Sequence, residues 1–325
     1  MAYRPTGYAG FPVQGISVIE RRTDISAGST HPAVIIQPET AYDYINWIET
    51  PGYVAMPEGN YFDGNDHGHR SSAKVTRSSS DSFYGTKSWG EWKGLLTDGW
   101  TDGAKSANKL AEELVPMLYG LRSSFELEHD YEGDEVDIDR YLEGEPECML
   151  APEEIKVHGQ AKFLDVGIAL SVHAGIHQKA LAWRGIISAA IVDVLEANGY
   201  RCSVFTYELS RGRKGDFMLK VPVKQHDQPV DMERLATLIG HPSAFRRAMF
   251  SALEKLPKNK FYYYACDAYG YPIHNLPTSV FPADLYIGNE CLVNDAQSAY
   301  NQFKEKLSEL PDFRQFLIEQ GVVDA

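Results

Sequence analysis

The chain has 325 residues, of which 43% are hydrophobic and 23% are charged, which is enough apolar material for one large or two modest domains. Its net charge of −14 argues against a surface that coats a nucleic acid along its whole extent. A local basic groove remains compatible with that total, so the distribution of charge has to be followed along the chain.

The four cysteines are widely spaced and form no Cys-x-x-Cys pair, so they indicate free thiols and no zinc site. The first residues lack the basic start and apolar run of a signal peptide. No apolar run reaches the roughly 18 residues that a membrane span requires. We therefore expect a cytoplasmic protein without membrane contact, from a bacterium or from a phage that infects one.

Residues 1–125 are predicted to form an irregular, mostly helical region with long loops, rich in tyrosine and tryptophan. A short strand is predicted at 33–36, and a brief helix after Thr40 that ends before Pro51. Leucines and tryptophans at helical spacing predict two further helices, which are separated near Gly99. Buried aromatic area of this kind is typical of a core or of a contact between subunits, so we expect a homo-oligomer.

Residues 126–160 are predicted to form an acidic connecting segment, with thirteen acidic residues and one arginine between Glu126 and Glu154. The spacing of the acids does not fit a calcium loop. Alternation in this segment predicts that Val136, Ile138 and Tyr141 face inward while the acids face solvent. The segment is therefore interpreted as a solvated acidic face, which can also mimic or shield a polyanion.

Residues 161–325 have the regular pattern of an α/β domain. A continuous apolar run at 161–172 predicts a buried parallel strand, and 177–199 predicts a long helix that follows it. Two alternating segments around the sequence RGRKG predict an antiparallel hairpin. Further strands are predicted at 260–270 and 283–293, and further helices begin at 231, 242, 295 and 312. This order predicts a doubly wound, mainly parallel sheet with helices on both faces and the antiparallel hairpin at one edge.

This order of elements resembles that of von Willebrand factor A domains, in which a metal ion is bound where the strands end. The family has Asp-x-Ser-x-Ser after its first strand, where this chain has Ser171-Val172-His173-Ala174-Gly175. A later family motif, Thr-Asp-Gly, is matched only by Asp267. The resemblance implies a degenerate domain, with a weak Mg²⁺ site at Ser171, His173 and Asp267 as the alternative. The stretch VDIDRYLEGEPECM and the chain as a whole also resemble uncharacterised proteins of tailed phages, which implies the host cytoplasm.

Basic residues cluster despite the negative total, and the loop at 67–77 adds Arg70, Lys74 and Arg77 to the two main clusters. The sequence RGRKG supplies three cations at a hairpin tip, and residues 246–264 combine cations with tyrosines. Cations that follow a backbone and rings that stack on bases are typical of single-stranded nucleic acid binding. The candidate residues are Arg211, Arg213, Lys214, Arg246, Arg247, Lys258, Lys260, Tyr262 and Tyr264. Against this, a central strand at 260–270 would bury alternate tyrosine rings.

The chain contains no P-loop, no Gly-x-Ser-x-Gly elbow, no His-Glu-x-x-His and no Rossmann glycine triplet. The sequence therefore predicts a non-enzymatic, phage-type accessory protein that requires no cofactor. We expect it to engage a protein partner, and single-stranded nucleic acid as a second option, in replication, transcription or assembly. The alternative is a metal-dependent enzyme with its site at the strand ends near His173 and Asp267.

Overall fold

The computed structural model describes residues 14–26, 29–49, 81–112, 126–153 except 132 and 134, 162–264 except 257, and 271–321 except 320. No helix within these ranges is both long enough and apolar enough to cross a membrane. The predicted metal ligand Asp267 lies outside them, as do the side chains of Lys258 and Tyr262.

The described residues form ten strands and eleven α-helices. The strands are β1 (Ile16–Ser26), β2 (Ser29–Pro38), β3 (Glu126–Asp130), β4 (Glu135–Val136), β5 (Met149–Glu153), β6 (Lys162–Ala169), β7 (Tyr200–Arg211), β8 (Asp216–Lys224), β9 (Tyr271–Pro272) and β10 (Leu285–Ile287). The helices are α1 (Ala41–Glu49), α2 (Asp81–Tyr84), α3 (Trp89–Asp98), α4 (Thr101–Glu112), α5 (Ile138–Glu143), α6 (Gln178–Ala197), α7 (Met232–Gly240), α8 (Phe250–Glu254), α9 (Lys258–Tyr264), α10 (Ala296–Ser308) and α11 (Pro311–Glu319). A π-helical stretch, Ala244–Met249, leads into α8, and a 3-10 turn, Asn289–Cys291, follows β10.

The main sheet is mixed and has the strand order β1-β2-β8-β7-β6-β10, with β9 paired to β7. The pairs β2–β8, β7–β6 and β6–β10 are parallel, whereas β1–β2, β8–β7 and β7–β9 are antiparallel. The predicted α/β class, and the strand–helix–strand–strand order from β6 to β8, are confirmed. Strands β3, β5 and β4 form a second, separate sheet.

The prediction that the β7–β8 hairpin lies at an edge of the sheet is wrong, because the hairpin lies in its interior. Strand β2 pairs in parallel with β8, from Ala33 opposite Asp216 to Ile36 opposite Leu219, and β1 continues the sheet outward. The N-terminal region is therefore not only irregular and helical, since it supplies two strands of the main sheet. Apolar residues of β2, α1 and α4 share one core with those of β6, α6 and β7. This core crosses the domain boundary predicted at residue 161.

The two faces of the main sheet are built differently. Along β7, Cys202 and Val204 join the core beneath the helices, while Phe205, Tyr207 and Leu209 join a smaller cluster on the opposite face. Helix α6 is apolar on nearly all sides because it packs between the sheet and α4, α7 and α10. In the described part of the chain, the second cluster contains strand residues and Phe281 but no helical residue. Helices on both faces, as a doubly wound sheet requires, remain a prediction.

Two local features explain how the helices approach the sheet and one another. Helices α6 and α7 cross at Gly185 and Gly240, where a Cβ on Gly185 would lie 1.8 Å from the Gly240 Cα. Residues 260–264, predicted as the start of a strand, belong to helix α9 instead. Phe261 and Tyr264 are both buried, at the i, i+3 spacing of a helix face. Tertiary packing therefore overrides the strand preference of the aromatic residues.

Candidate functional site

Residues 126–153 form a small unit of their own, here called the acidic unit. Strand β5 pairs antiparallel with both β3 and β4, and α5 lies between β4 and β5 along the chain. Asp137 begins α5: its carbonyl oxygen accepts the Tyr141 amide at 2.9 Å and its Oδ1 accepts the Arg140 amide at 3.3 Å. The Asp137 amide in turn donates to the Cys148 carbonyl at 2.8 Å, which ties the helix to the end of the unit.

In its described part, the acidic unit leaves several apolar side chains uncovered. None of the side chains described between Tyr131 and Leu150 is buried. Ile138, Tyr141 and Leu142 are exposed by 67%, 64% and 75%, and Val136 is also exposed. The prediction that Val136, Ile138 and Tyr141 face inward is therefore wrong. Residues 138–143 are helical and not extended, so Ile138, Tyr141 and Leu142 share one face of α5 at i, i+3 and i+4.

Most of the net charge of the chain also lies in this unit. Glu126 to Glu154 includes thirteen acidic residues and one arginine, so the rest of the chain is close to neutral. The one arginine, Arg140, donates from Nε to Glu145 Oε2 at 2.8 Å. The exposed apolar stripe of α5 thus lies within the most acidic segment of the chain.

The carboxyl end of β6 is the second candidate region, because α/β proteins commonly bind ligands where parallel strands end. Ser171 is buried and its Oγ accepts the Leu209 amide at 3.3 Å. His173 is exposed, and its Nδ1 accepts the Gly175 amide at 3.1 Å. His177 caps α6 by accepting the Lys179 amide at 3.1 Å. Ser171 and His173 are thus near in sequence but have different local partners.

A metal site at this edge has little support from the residues that can be placed. The described ranges contain no group of three or more His, Cys, Asp or Glu side chains that could hold a metal ion. Of the predicted ligands, Ser171 already binds a backbone amide, and Asp267 lies outside the described residues. The Mg²⁺ alternative therefore stays a prediction from the resemblance.

Two buried arginines flank the loop that follows β6. Arg184, on α6, donates to the Leu170 carbonyl at 3.0 Å and to Asn289 Oδ1 at 3.2 Å. Arg246, in the π-helical stretch, donates to the Phe83 carbonyl at 2.8 Å and to the Ile176 carbonyl. Each side chain is only 1% exposed. Burial lowers the pKa of both guanidinium groups to about 10, and the charge of Arg246 lowers the pKa of Arg184 further.

Several residues predicted to contact nucleic acid lie inside the protein. Arg246 and Arg247 are buried, and their guanidinium groups lie 4.2 Å from the ring centres of Phe83 and Tyr84. Arg247 Nε also donates to Thr86 Oγ1 at 2.8 Å. Both arginines therefore connect the α2 region to the core, and neither is presented at the surface for contact with a nucleic-acid backbone.

The remaining predicted residues whose side chains are described lie at or near the tip of the β7–β8 hairpin. The tip packs on the end of α9, where a Cβ on Gly212 would lie 2.3 Å from the Tyr264 backbone. Glu20 accepts hydrogen bonds from Lys260 Nζ at 2.7 Å and from the Tyr264 hydroxyl at 2.9 Å, and the Tyr264 ring is buried. Arg211 Nε donates to Asp216 at 3.1 Å. Among the predicted residues whose side chains are described, Arg213 and Lys214 are the exposed ones.

Glu208 is a buried ionisable group that the sequence analysis did not single out. It lies on β7 opposite Leu219, on the same face as Val204 and beneath the helices. Burial raises the pKa of its carboxyl to about 8, and Glu208 Oε2 has no hydrogen-bond partner. Burial, and the neighbouring Glu208, hold the pKa of the Tyr44 hydroxyl well above its ordinary value.

Arg184 and Glu208 were missed for different reasons. Arg184 lies among apolar residues in the helix 178–197, and a cation at a position of the buried stripe is a signal that sequence alone offers. Glu208 sits in an alternating strand, where its position fits a solvent-facing residue as well as a buried one. Only the packing of helices above β7 shows that the Glu208 side chain is buried and does not face solvent.

The fold and these sites define an α/β protein with a mixed sheet and a separate acidic unit. Residues 41–319 match the model of the DUF7192 family, a domain of unknown function, and the chain belongs to that family. No curated protein and no solved structure matches the chain.

Proposed function

We propose that this protein is an accessory binding protein whose acidic unit docks onto a protein partner with a basic, partly apolar surface. The observation that supports this most directly is the uncovered apolar stripe of α5, formed by Ile138, Tyr141 and Leu142. A phage-encoded setting in replication, transcription or assembly is part of the same proposal, and rests on the sequence resemblance alone.

The described part of the acidic unit between Tyr131 and Leu150 lacks the burial that normally stabilises so small a sheet. Three short strands need a hydrophobic face that is packed against something, yet no side chain described between Tyr131 and Leu150 is buried. Covering a large apolar side chain is worth about 1.5–3 kcal/mol. A partner that covers Ile138, Tyr141 and Leu142 therefore stabilises both the complex and the unit itself.

The charge around this stripe determines which partner fits. A second copy of the chain would bring two strongly negative surfaces together, and like charges opposed at an interface cost several kcal/mol. A partner with lysine or arginine around an apolar face instead gains attraction and faster association. The proposal therefore commits to a basic protein partner, and any homo-oligomer is expected to use another surface.

The experiment uses a labelled amphipathic helical peptide with one leucine face and one lysine face, measured by fluorescence anisotropy with the full chain. We expect binding that weakens as sodium chloride rises from about 50 mM to about 300 mM. The double variant Ile138→Ser, Leu142→Ser should bind at least about tenfold more weakly, because two apolar contacts are lost. Tyr42→Ser, which changes an exposed aromatic residue on α1, is the matched control and should leave the affinity unchanged.

Two results would overturn the proposal. One is equal affinity of the wild type and the double variant for the peptide, or equal binding of a peptide in which glutamate replaces lysine. The other is a wild type that is oligomeric in light scattering while the double variant is monomeric, because the stripe would then be covered by a second copy of the chain.

A further inference from the structure

Two buried cations contact the two ends of the loop between β6 and α6. Arg184 holds its start, through the Leu170 carbonyl, and Arg246 holds its end, through the Ile176 carbonyl. Between these two contacts, His173, Ala174 and Gly175 are exposed. The exposed part of the loop thus lies above two buried positive charges, those of Arg184 and Arg246.

Among the residues that the structure describes, these two cations have no carboxylate partner. No ion pair within 4.0 Å joins Arg184 or Arg246 to an acidic group in the described part of the chain. Glu290 is close enough to influence the pKa of Arg184, but its Oε1 lies 2.6 Å from Lys306 Nζ and accepts the Gly288 amide at 2.8 Å. Burying like charges near each other without a counter-charge is costly, so the arrangement is suited to an anion.

Both guanidinium groups also keep donors in reserve. A guanidinium has five N–H donors, and the Nε atoms of Arg184 and Arg246 are buried without a hydrogen-bond partner. The donors left over, the positive end of a 20-residue helix and the end of a parallel strand converge on the same loop.

We propose that this loop, with Arg184 and Arg246, binds the phosphate group of a small phosphorylated ligand. A phosphate oxygen pair can accept from the Nε and an Nη of one guanidinium side by side, and a dianion neutralises both buried charges. His173 and Gly175 form the part of the loop through which the ligand enters. This site is separate from the acidic unit and goes beyond the proposed docking function.

The experiment measures the melting temperature of the full chain in rising inorganic phosphate against sodium chloride at matched ionic strength, with calorimetry for the dissociation constant. We expect phosphate to raise the melting temperature where chloride does not. Arg184→Lys and Arg246→Lys keep the charge but lose the fork, and each should weaken phosphate binding by about tenfold or more. Arg201→Lys is the control, because Arg201 is exposed at the opposite end of β7.

The outcomes separate a ligand site from a purely structural role. No phosphate-specific rise in the wild type overturns the proposal, and so does a rise of equal size in the folded Arg184→Lys and Arg246→Lys variants. Comparing inorganic phosphate with a sugar phosphate and a nucleoside monophosphate identifies the source of the group. Tighter binding of one ester supports an extended ligand, and equal binding supports free phosphate. Neither result bears on peptide binding by the acidic unit.

Discussion

Replacing Glu208 with glutamine should remove a large part of the pH dependence of folding. In the folded protein, burial raises the pKa of the Glu208 carboxyl from 4.5 to about 8. An unfolded chain ionises the same group near its ordinary value, so folding takes up a proton at every pH between these two values. The contribution of Glu208 to the free energy of unfolding is therefore fully present below about pH 4.5 and is lost as the pH rises towards 8.

The size of this effect follows from the difference between the two pKa values. One pKa unit corresponds to about 1.4 kcal/mol, so the window from pH 5 to pH 8 should cost the wild type about 3 to 4 kcal/mol of unfolding free energy. Glutamine has nearly the same shape and cannot ionise. The Glu208→Gln variant should match the wild type near pH 5 and be more stable than it at pH 8.

Urea unfolding of both proteins at several pH values from 5 to 8.5 measures the difference directly. His241 acts in the opposite sense, because burial lowers its pKa from 6.5 to about 4. The contribution of His241 to the free energy of unfolding is therefore lost as the pH falls below 6.5. That contribution is common to both proteins and cancels in their difference. Glu143→Gln, on the exposed acidic unit, is the control. Parallel stability curves for wild type and Glu208→Gln would refute the reasoning.

Two further predictions concern helix packing and nucleic acid. Gly185→Ala should destabilise the fold by about 1–3 kcal/mol or more in thermal unfolding, because the added methyl group forces α6 and α7 apart. Gly94→Ala is the control: a Cβ there meets nothing within 4 Å, so this variant should be neutral or stabilised by up to about 1 kcal/mol. A stable Gly185→Ala variant would show that the crossing is looser than described. If the hairpin tip binds single strands, replacing exposed Arg213 and Lys214 together with alanine should weaken oligonucleotide binding at low salt, and unchanged affinity would remove the tip from that role.

The part of the fold that sequence predicts well is the segment from β6 to β8. Its apolar runs, its long helix and its two-glycine hairpin are local signals that agree with one another. The pairing of β2 with β8 joins positions far apart in the chain, and no local pattern specifies it. The edge position predicted for the β7–β8 hairpin failed for that reason.

The candidate sites were predictable in part. The concentration of acidic residues at 126–154 is evident from composition. The exposure of Ile138 and Leu142 is not evident, because a local pattern does not show whether another element covers α5. The basic residues of 246–247 were assigned to a surface since charge normally lies there. Their burial is made possible by backbone carbonyls and aromatic rings of 83–86, which only the tertiary fold places beside them.

Hydrogen–deuterium exchange of the full chain, with and without the basic amphipathic peptide, tests the docking role of the acidic unit most directly. We expect amides of β3, β4 and β5 to exchange much faster than those of β6 and β7 in the free protein, since β4 has only two residues and no side chain described between Tyr131 and Leu150 is buried. Peptide should then slow exchange in residues 126–153 and leave the main sheet unchanged. Equal protection of the acidic unit in the free and the peptide-bound protein would contradict the account.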